Sequence, residues 1–160
     1  MISNENENYS KAKSKIEAYC VFQDRCLSDI LKKIDVFRLS KEDEKRLLLH
    51  LQKYGFWDEL RFAESFVNGK FKIKSWGKQK IVQALKIKKV SPEIIQQAIT
   101  LIPEADNLET IKKLAQKKSE SLKKEVNEWT KQQKVMRYLL SKGFNYGDIV
   151  KVIGQLDNED

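Results

Sequence analysis

The sequence has few of the residues that tight turns, disulfides and metal sites require. Its 160 residues include six Gly, two Pro, two Cys and one His. β-Sandwiches and barrels need many tight turns, so the scarcity of Gly and Pro argues against an all-β fold. Cys20 and Cys26 cannot build a disulfide framework, and His50 alone leaves no ligand set for zinc. We therefore expect reduced thiols, no metal ion and no other cofactor.

Patterns typical of membrane proteins, secreted proteins and common enzymes are also missing. There is no run of about 18 apolar residues, so we expect no membrane span. Residues 1–10 are polar and contain Glu5 and Glu7, which does not fit a secretory signal. The chain has no glycine-rich phosphate-binding loop, and no pattern links His50 to a nucleophile. These absences predict a cytoplasmic protein that is not an enzyme.

Helical periodicity runs along almost the whole chain. It predicts about nine helices, over residues 10–23, 28–38, 41–53, 58–71, 76–88, 92–102, 107–128, 131–142 and 146–156. Ser40 and the Ser91-Pro92 pair are helix-start signals, and Thr130 begins a sequence with capping-box spacing. Gly55 and Gly143 follow apolar runs, where a left-handed helix end favours glycine.

The helical pattern repeats with an offset of 54 residues, which places Lys80-Ile81 over Lys134-Val135 and Leu31 over Leu85. A unit of this size buries its apolar face poorly alone, and stacked neighbours complete the core. We therefore expect a monomeric, all-α, elongated and curved array of three tandem three-helix repeats. The predicted segments are a flexible tail over 1–10, repeats over 11–54, 55–105 and 106–157, and a short acidic C-terminal tail.

Positive charge is concentrated in the middle of the chain. There are 31 Lys and Arg against 23 Asp and Glu, a formal net charge of +8. Residues 55–105 hold nine of the basic and five of the acidic residues, and no acid lies between Glu64 and Glu93. That window contains Lys70, Lys72, Lys74, Lys78, Lys80, Lys86, Lys88 and Lys89. It is either a solvated face or a patch for phosphates or for an acidic protein groove, and we favour the patch.

Lysine outnumbers arginine by 26 to 5. Because lysine makes point contacts rather than planar base contacts, we expect any nucleic acid to be bound through its backbone. The helical wheel places Lys80 and Lys134 on equivalent exposed positions, which predicts a spaced basic ladder. Trp57 and Trp76 either stack on bases or anchor helix junctions, and we favour the junctions.

Four motifs resemble the bacterial RecX family, whose members modulate the recombinase RecA. They are Tyr19-Cys20-x-x-Gln23-Asp24-Arg25-Cys26, Gly55-Phe56-Trp57-Asp58-Glu59-x-Arg61-Phe62-Ala63, Trp76-Gly77-x-x-Lys80-Ile81 and Tyr138-Leu139-Leu140-x-Lys142-Gly143-Phe144. One departure is Lys89-Val90, where the family often has Gly before the apolar residue. The resemblance implies binding in the groove of the RecA filament on single-stranded DNA, where ATP hydrolysis, strand exchange and filament growth are restrained.

The family has no catalytic residues to transfer, so the candidate residues are contacts to RecA or DNA. They are Arg25, Arg61, Lys78, Lys80, Lys134, Arg137 and Lys142. Two alternatives stay open. One is a stand-alone helical protein that binds nucleic acid without sequence preference, and the other is a helical scaffold for some other protein.

Overall fold

The computed structural model describes residues 2–159, with side chains from Asn4 onward. Every regular element in this part of the chain is an α-helix, which confirms the prediction of an all-α helical repeat. The helices are α1 (Ile2–Phe22), α2 (Leu27–Asp35), α3 (Lys41–Lys53), α4 (Glu59–Lys72), α5 (Lys78–Ile87), α6 (Pro92–Ile99), α7 (Glu104–Ser121), α8 (Glu128–Ser141) and α9 (Tyr146–Glu159).

Helix α1 begins at Ile2 rather than at residue 10, so the segment expected to be a flexible tail, residues 1–10, is helical from Ile2 onward; Met1 lies outside the described residues. The physical reason is tertiary packing. Tyr9 is only 6% exposed and packs in a core with Ala12, and the Nδ2 of Asn8 donates to the carbonyl of Phe37 at 2.7 Å. The contacts of Asn8 and Tyr9 anchor the helix at this point, although residues 4–7 before them are polar and exposed. At the other end, α9 continues to Glu159 and includes most of the expected acidic tail.

The predicted helix over 107–128 ends earlier, at Ser121. Asn127, rather than Thr130, is the N-cap of α8: its Oδ1 accepts from the backbone N–H of Thr130 at 3.0 Å. A short amide side chain at such a position satisfies a helix-end N–H and favours a break in the helix before it. By contrast, Ser40 caps α3 as predicted, because its Oγ accepts from the N–H of Asp43 at 3.1 Å.

Residues in the left-handed conformation follow five of the helices: Arg38, Gly55, Ser75, Lys89 and Gly143. Gly55 has φ +74° after α3, and Gly143 has φ +94° after α8, as the sequence predicts. Lys89, after α5, has φ +60°. The position where the family often has glycine thus keeps the same helix-end geometry with a lysine, at a conformational cost of roughly 1–2 kcal/mol.

The chain divides into two compact units, each with its own core. The first contains the residues through Ser65 together with Leu85–Ala98, and the second contains Phe66–Ala84 together with the residues from Ile99 onward. The core of the first unit is Tyr9, Ala12, Ile16, Cys20, Ile30, Ile34, Leu47 and Leu51. The core of the second unit is Ile111, Ala115, Val135, Leu139, Phe144, Ile149 and Val152.

Candidate nucleic-acid interface

Four lysines and one tryptophan of the second unit gather around the loop between α4 and α5. We call Lys70, Lys74, Trp76, Lys80 and Lys142 the lysine–tryptophan cluster. The Nζ atoms of Lys70 and Lys80 lie 4.7 and 4.5 Å from the centroid of the Trp76 ring. The Nζ of Lys142 donates to the carbonyl of Lys74 at 2.8 Å. Cation–π attraction and this hydrogen bond hold the positive charges together.

The end of α8 is joined to the start of α5 through the backbone. The N–H of Gly77 donates to the carbonyl of Lys142 at 2.7 Å, and the N–H of Gln79 donates to that of Gly143 at 3.1 Å. A Cβ on Gly77 would overlap the backbone of Gly143, and a Cβ on Gly143 would overlap Lys80. Two glycines therefore allow the close approach that brings Lys80 beside Lys142.

The positive charges of this cluster are not compensated by nearby acids. Among the side chains described, no carboxylate oxygen lies within 4.0 Å of the Nζ atoms of these four lysines. Partial burial, followed by the charges of Lys80 and Lys74, lowers the pKa of Lys142. An anion placed among these lysines would relieve this repulsion, so the site is suited to a phosphate or a carboxylate.

A groove of about 690 Å³ lies beside the cluster, within the same unit. Lys78 and Lys80 line it together with polar side chains, and its apolar wall contains Val82, Ile99 and Leu140. The structure thus brings three predicted contact residues, Lys78, Lys80 and Lys142, to one region. The signal in the sequence was the acid-free window together with the Trp76-Gly77 motif.

The two predicted arginines of the first unit are engaged within the protein. Arg61 donates to Asp24 Oδ1 at 2.7 Å and to the carbonyl of Gly55 at 2.9 Å. The Nε of Arg25 donates to the carbonyl of Tyr19 at 3.0 Å, and its guanidinium lies 3.7 Å from the centroid of the Tyr19 ring. Both arginines hold the loop between α1 and α2 in place, and Arg61 keeps about half of its side chain exposed.

The two predicted contacts on α8 differ in their surroundings. The Nζ of Lys134 lies 2.8 Å from Glu125 Oε2. Hydrogen bonds from Lys134 and from the N–H of Asn127 lower the pKa of Glu125. Lys134 is therefore compensated, whereas its repeat equivalent Lys80 contacts Trp76. Arg137 lies exposed on α8.

Sequence reasoning missed Lys70 and Lys74 as members of the cluster, although both lie in the acid-free window. It also missed Trp129, which is exposed on the first turn of α8. Of the two tryptophans it considered, Trp57 packs against the core of the first unit and Trp76 lies between two lysines.

Comparison with protein families tests the resemblance directly. A model of the second three-helix domain of RecX matches residues 58–99, and a model of the third matches residues 104–153. The two matches cover more than half of the chain and correspond to α4–α6 and α7–α9. The chain belongs to the RecX family. RecX proteins are a family of regulatory proteins, as the names of the matched relatives state.

Individual RecX proteins agree with this assignment. The chain is 35% identical over 117 residues to the regulatory protein RecX of Clostridium perfringens strain SM101, covering 72% of this chain and 54% of the relative. It is 26% identical over 153 residues to that of Clostridium tetani, covering 95% of this chain and 70% of the relative. The match to the first of these relatives thus spans about half of the relative's length.

Solved structures give the same fold. A crystal structure of regulatory protein RecX superimposes with a TM-score of 0.84 at 26% identity, over 94% of this chain and 74% of that one. RecX from Lactobacillus salivarius superimposes with a TM-score of 0.87 at 23% identity, over 95% and 98% of the two chains. Within residues 2–159 no helix is both long and apolar enough to cross a bilayer.

Proposed function

We propose that this RecX chain binds the RecA recombinase filament on single-stranded DNA and restrains its ATP hydrolysis, strand exchange and growth. Membership of the RecX family supports a regulatory role. The observation that carries the proposal further is the lysine–tryptophan cluster, a preformed set of uncompensated charges suited to an anionic partner. The role is binding rather than catalysis, by a cytoplasmic monomer that needs no cofactor.

The cluster supports contact with the phosphate backbone. Each lysine supplies a point charge that neutralises a phosphate and releases its counterions, without distinguishing one base from another. The two backbone hydrogen bonds from Gly77 and Gln79 hold Lys80 beside Lys142, so little ordering is needed on binding. Sequence-independent contact suits a regulator that must bind wherever a filament forms on the DNA.

RecA-dependent ATP hydrolysis on single-stranded DNA tests the proposal. We expect an excess of the protein to reduce hydrolysis and strand exchange, and Lys80→Glu to weaken both effects. Lys151→Glu, an exposed lysine of α9 outside the cluster, makes the same change in net charge and serves as the control. If an excess of the wild-type protein changes neither hydrolysis nor strand exchange, the proposal is wrong.

The uncompensated cluster also favours a second candidate, a stand-alone nucleic-acid-binding protein. This candidate predicts binding to bare DNA with a steep dependence on salt: neutralising about five phosphates of a single strand gives a log–log slope near −3.5. A flat salt response would exclude it. If Lys80→Glu abolishes filament inhibition but leaves binding to bare DNA intact, the cluster contacts RecA instead.

A further inference from the structure

An exposed tryptophan lies at the start of α8. Trp129 is 69% exposed, and Val126, three residues earlier, is 94% exposed. A large apolar side chain left in water contributes nothing to the core, and Trp is strongly enriched among residues that dominate binding interfaces. The core of the second unit and the side chains packed on it do not include Trp129.

The segment that carries Trp129 is ordered by its own hydrogen bonds. The N–H of Glu125 donates to the carbonyl of Leu122 at 2.9 Å, and Leu122 packs on the core. The carboxylate of Glu125 holds Lys134 at 2.8 Å, and Asn127 caps α8. The backbone that carries Trp129, in the first turn of α8, is therefore already ordered, and binding through this residue loses little conformational entropy.

Two lysines precede Trp129 closely in the sequence. Lys123 and Lys124 are exposed in the turn between α7 and α8, six and five residues before Trp129. The acid in the same turn, Glu125, is paired with Lys134. Glu128 is exposed beside Trp129, where it also favours the positive end of the helix. Among the described side chains, neither Lys123 nor Lys124 forms an ion pair. An exposed aromatic ring with lysines near it in the chain is a combination that binds single-stranded nucleic acid: a base stacks on the ring and the ammonium groups contact the flanking phosphates.

We propose that Trp129 is a stacking platform for an unpaired base of single-stranded nucleic acid, with Lys123 and Lys124 contacting the adjacent phosphates. This site is separate in sequence from the lysine–tryptophan cluster, and it adds a base-dependent contact to backbone binding. The inference deepens the single-strand contact of the proposed function and rests on it. It predicts a preference for single strands over duplex, because a base inside a duplex is already stacked.

The experiment compares two fluorescently labelled oligonucleotides of equal length, oligo(dT) and its abasic counterpart, by anisotropy at fixed salt. The abasic strand keeps the phosphates and removes the bases, so the difference between the two affinities measures stacking. The full chain is used as wild type and as Trp129→Ala, Trp129→Phe and Tyr146→Ala. Tyr146 is a matched control because it is an exposed aromatic at the start of α9, 62% exposed.

We expect Trp129→Ala to weaken binding of oligo(dT) by about 5- to 150-fold and to leave binding of the abasic strand unchanged. Trp129→Phe should keep most of the affinity, and Tyr146→Ala should behave as wild type. The melting temperature of Trp129→Ala should not change, because the indole is exposed.

Two results would overturn the inference: Trp129→Ala binds oligo(dT) as tightly as wild type, or it weakens binding of both oligonucleotides equally. If the first result is accompanied by loss of filament inhibition, Trp129 contacts a protein partner instead. A wild-type protein that shows the stacking effect but leaves RecA hydrolysis unchanged would refute the proposed function while supporting the stacking site.

Discussion

Replacing Gly77 by alanine tests how the lysine–tryptophan cluster is built. The added Cβ would overlap the backbone of Gly143 and the N–H of Phe144. These are backbone atoms, which cannot move aside as the end of a flexible side chain can. The start of α5 and the segment after α8 must separate, and the two hydrogen bonds from Gly77 and Gln79 to the carbonyls of Lys142 and Gly143 weaken.

The size of the effect follows from these two losses. Overpacking a tightly packed position costs about 1–3 kcal/mol. Each of the two hydrogen bonds contributes about 0.5–1.5 kcal/mol. The free energy of unfolding should therefore fall by about 2–6 kcal/mol. For a chain of this length, each kcal/mol lowers the melting temperature by about 2–4 °C, so the expected decrease is at least about 4 °C.

Thermal and urea unfolding followed by circular dichroism measure this change, with Gly69→Ala as the matched control. Gly69 lies inside α4, and a Cβ there would meet nothing within 4 Å. The same substitution should stabilise that helix by about 0.5–1 kcal/mol. If Gly77→Ala is as stable as Gly69→Ala, the close approach of α5 and α8 is not as described, and the basis for placing Lys80 beside Lys142 fails.

Three further predictions concern other parts of the chain. Lys89→Gly should raise the free energy of unfolding by about 1 kcal/mol in urea, because Lys89 occupies a left-handed position; unchanged or lower stability would contradict this. Glu125→Gln should free Lys134 to contact a phosphate, so the slope of log affinity against log salt concentration for single-stranded DNA should become steeper by about 0.7. An unchanged slope would mean that Lys134 does not contact the DNA. In wild type the attraction between these two residues is complete above the ordinary carboxyl pKa. This attraction is lost as pH falls through the lowered pKa of Glu125, so the salt dependence of DNA binding by the wild type should also become steeper at low pH. Burial raises the pKa of Cys20, so its thiol should react with a disulfide reagent at pH 8 far more slowly in the folded than in the urea-unfolded chain; equal rates would contradict its burial.

Features set by neighbouring residues were predictable from the sequence. Ser40 and Gly143 act where their positions predict, because a cap and a left-handed helix end depend on a few adjacent residues. The start of α1 was not predictable in this way, because its polar first turns are ordered by the burial of Tyr9 among residues far along the chain. The prediction for the N-cap of α8 was wrong for a local reason. Asn127 and Thr130 both have side chains that can cap a helix, and they lie only three residues apart.

The candidate site was predictable only in part. The acid-free window contains most of its lysines, so composition alone pointed to the region. The proximity of Lys142 to Lys74 and Lys80 depends on backbone bonds across more than 60 residues of sequence, which no local pattern specifies. The exposure of Trp129 is likewise a tertiary property. Aromatic residues are usually buried, and only the structure distinguishes Trp129 from Trp57.

Co-sedimentation with RecA filaments on single-stranded DNA, compared with the DNA alone at the same salt, tests the central claim most directly. We predict that the protein pellets more strongly with filaments than with DNA, that Lys80→Glu reduces this binding, and that Lys151→Glu does not. Pelleting with filaments that does not exceed pelleting with bare DNA would contradict the account.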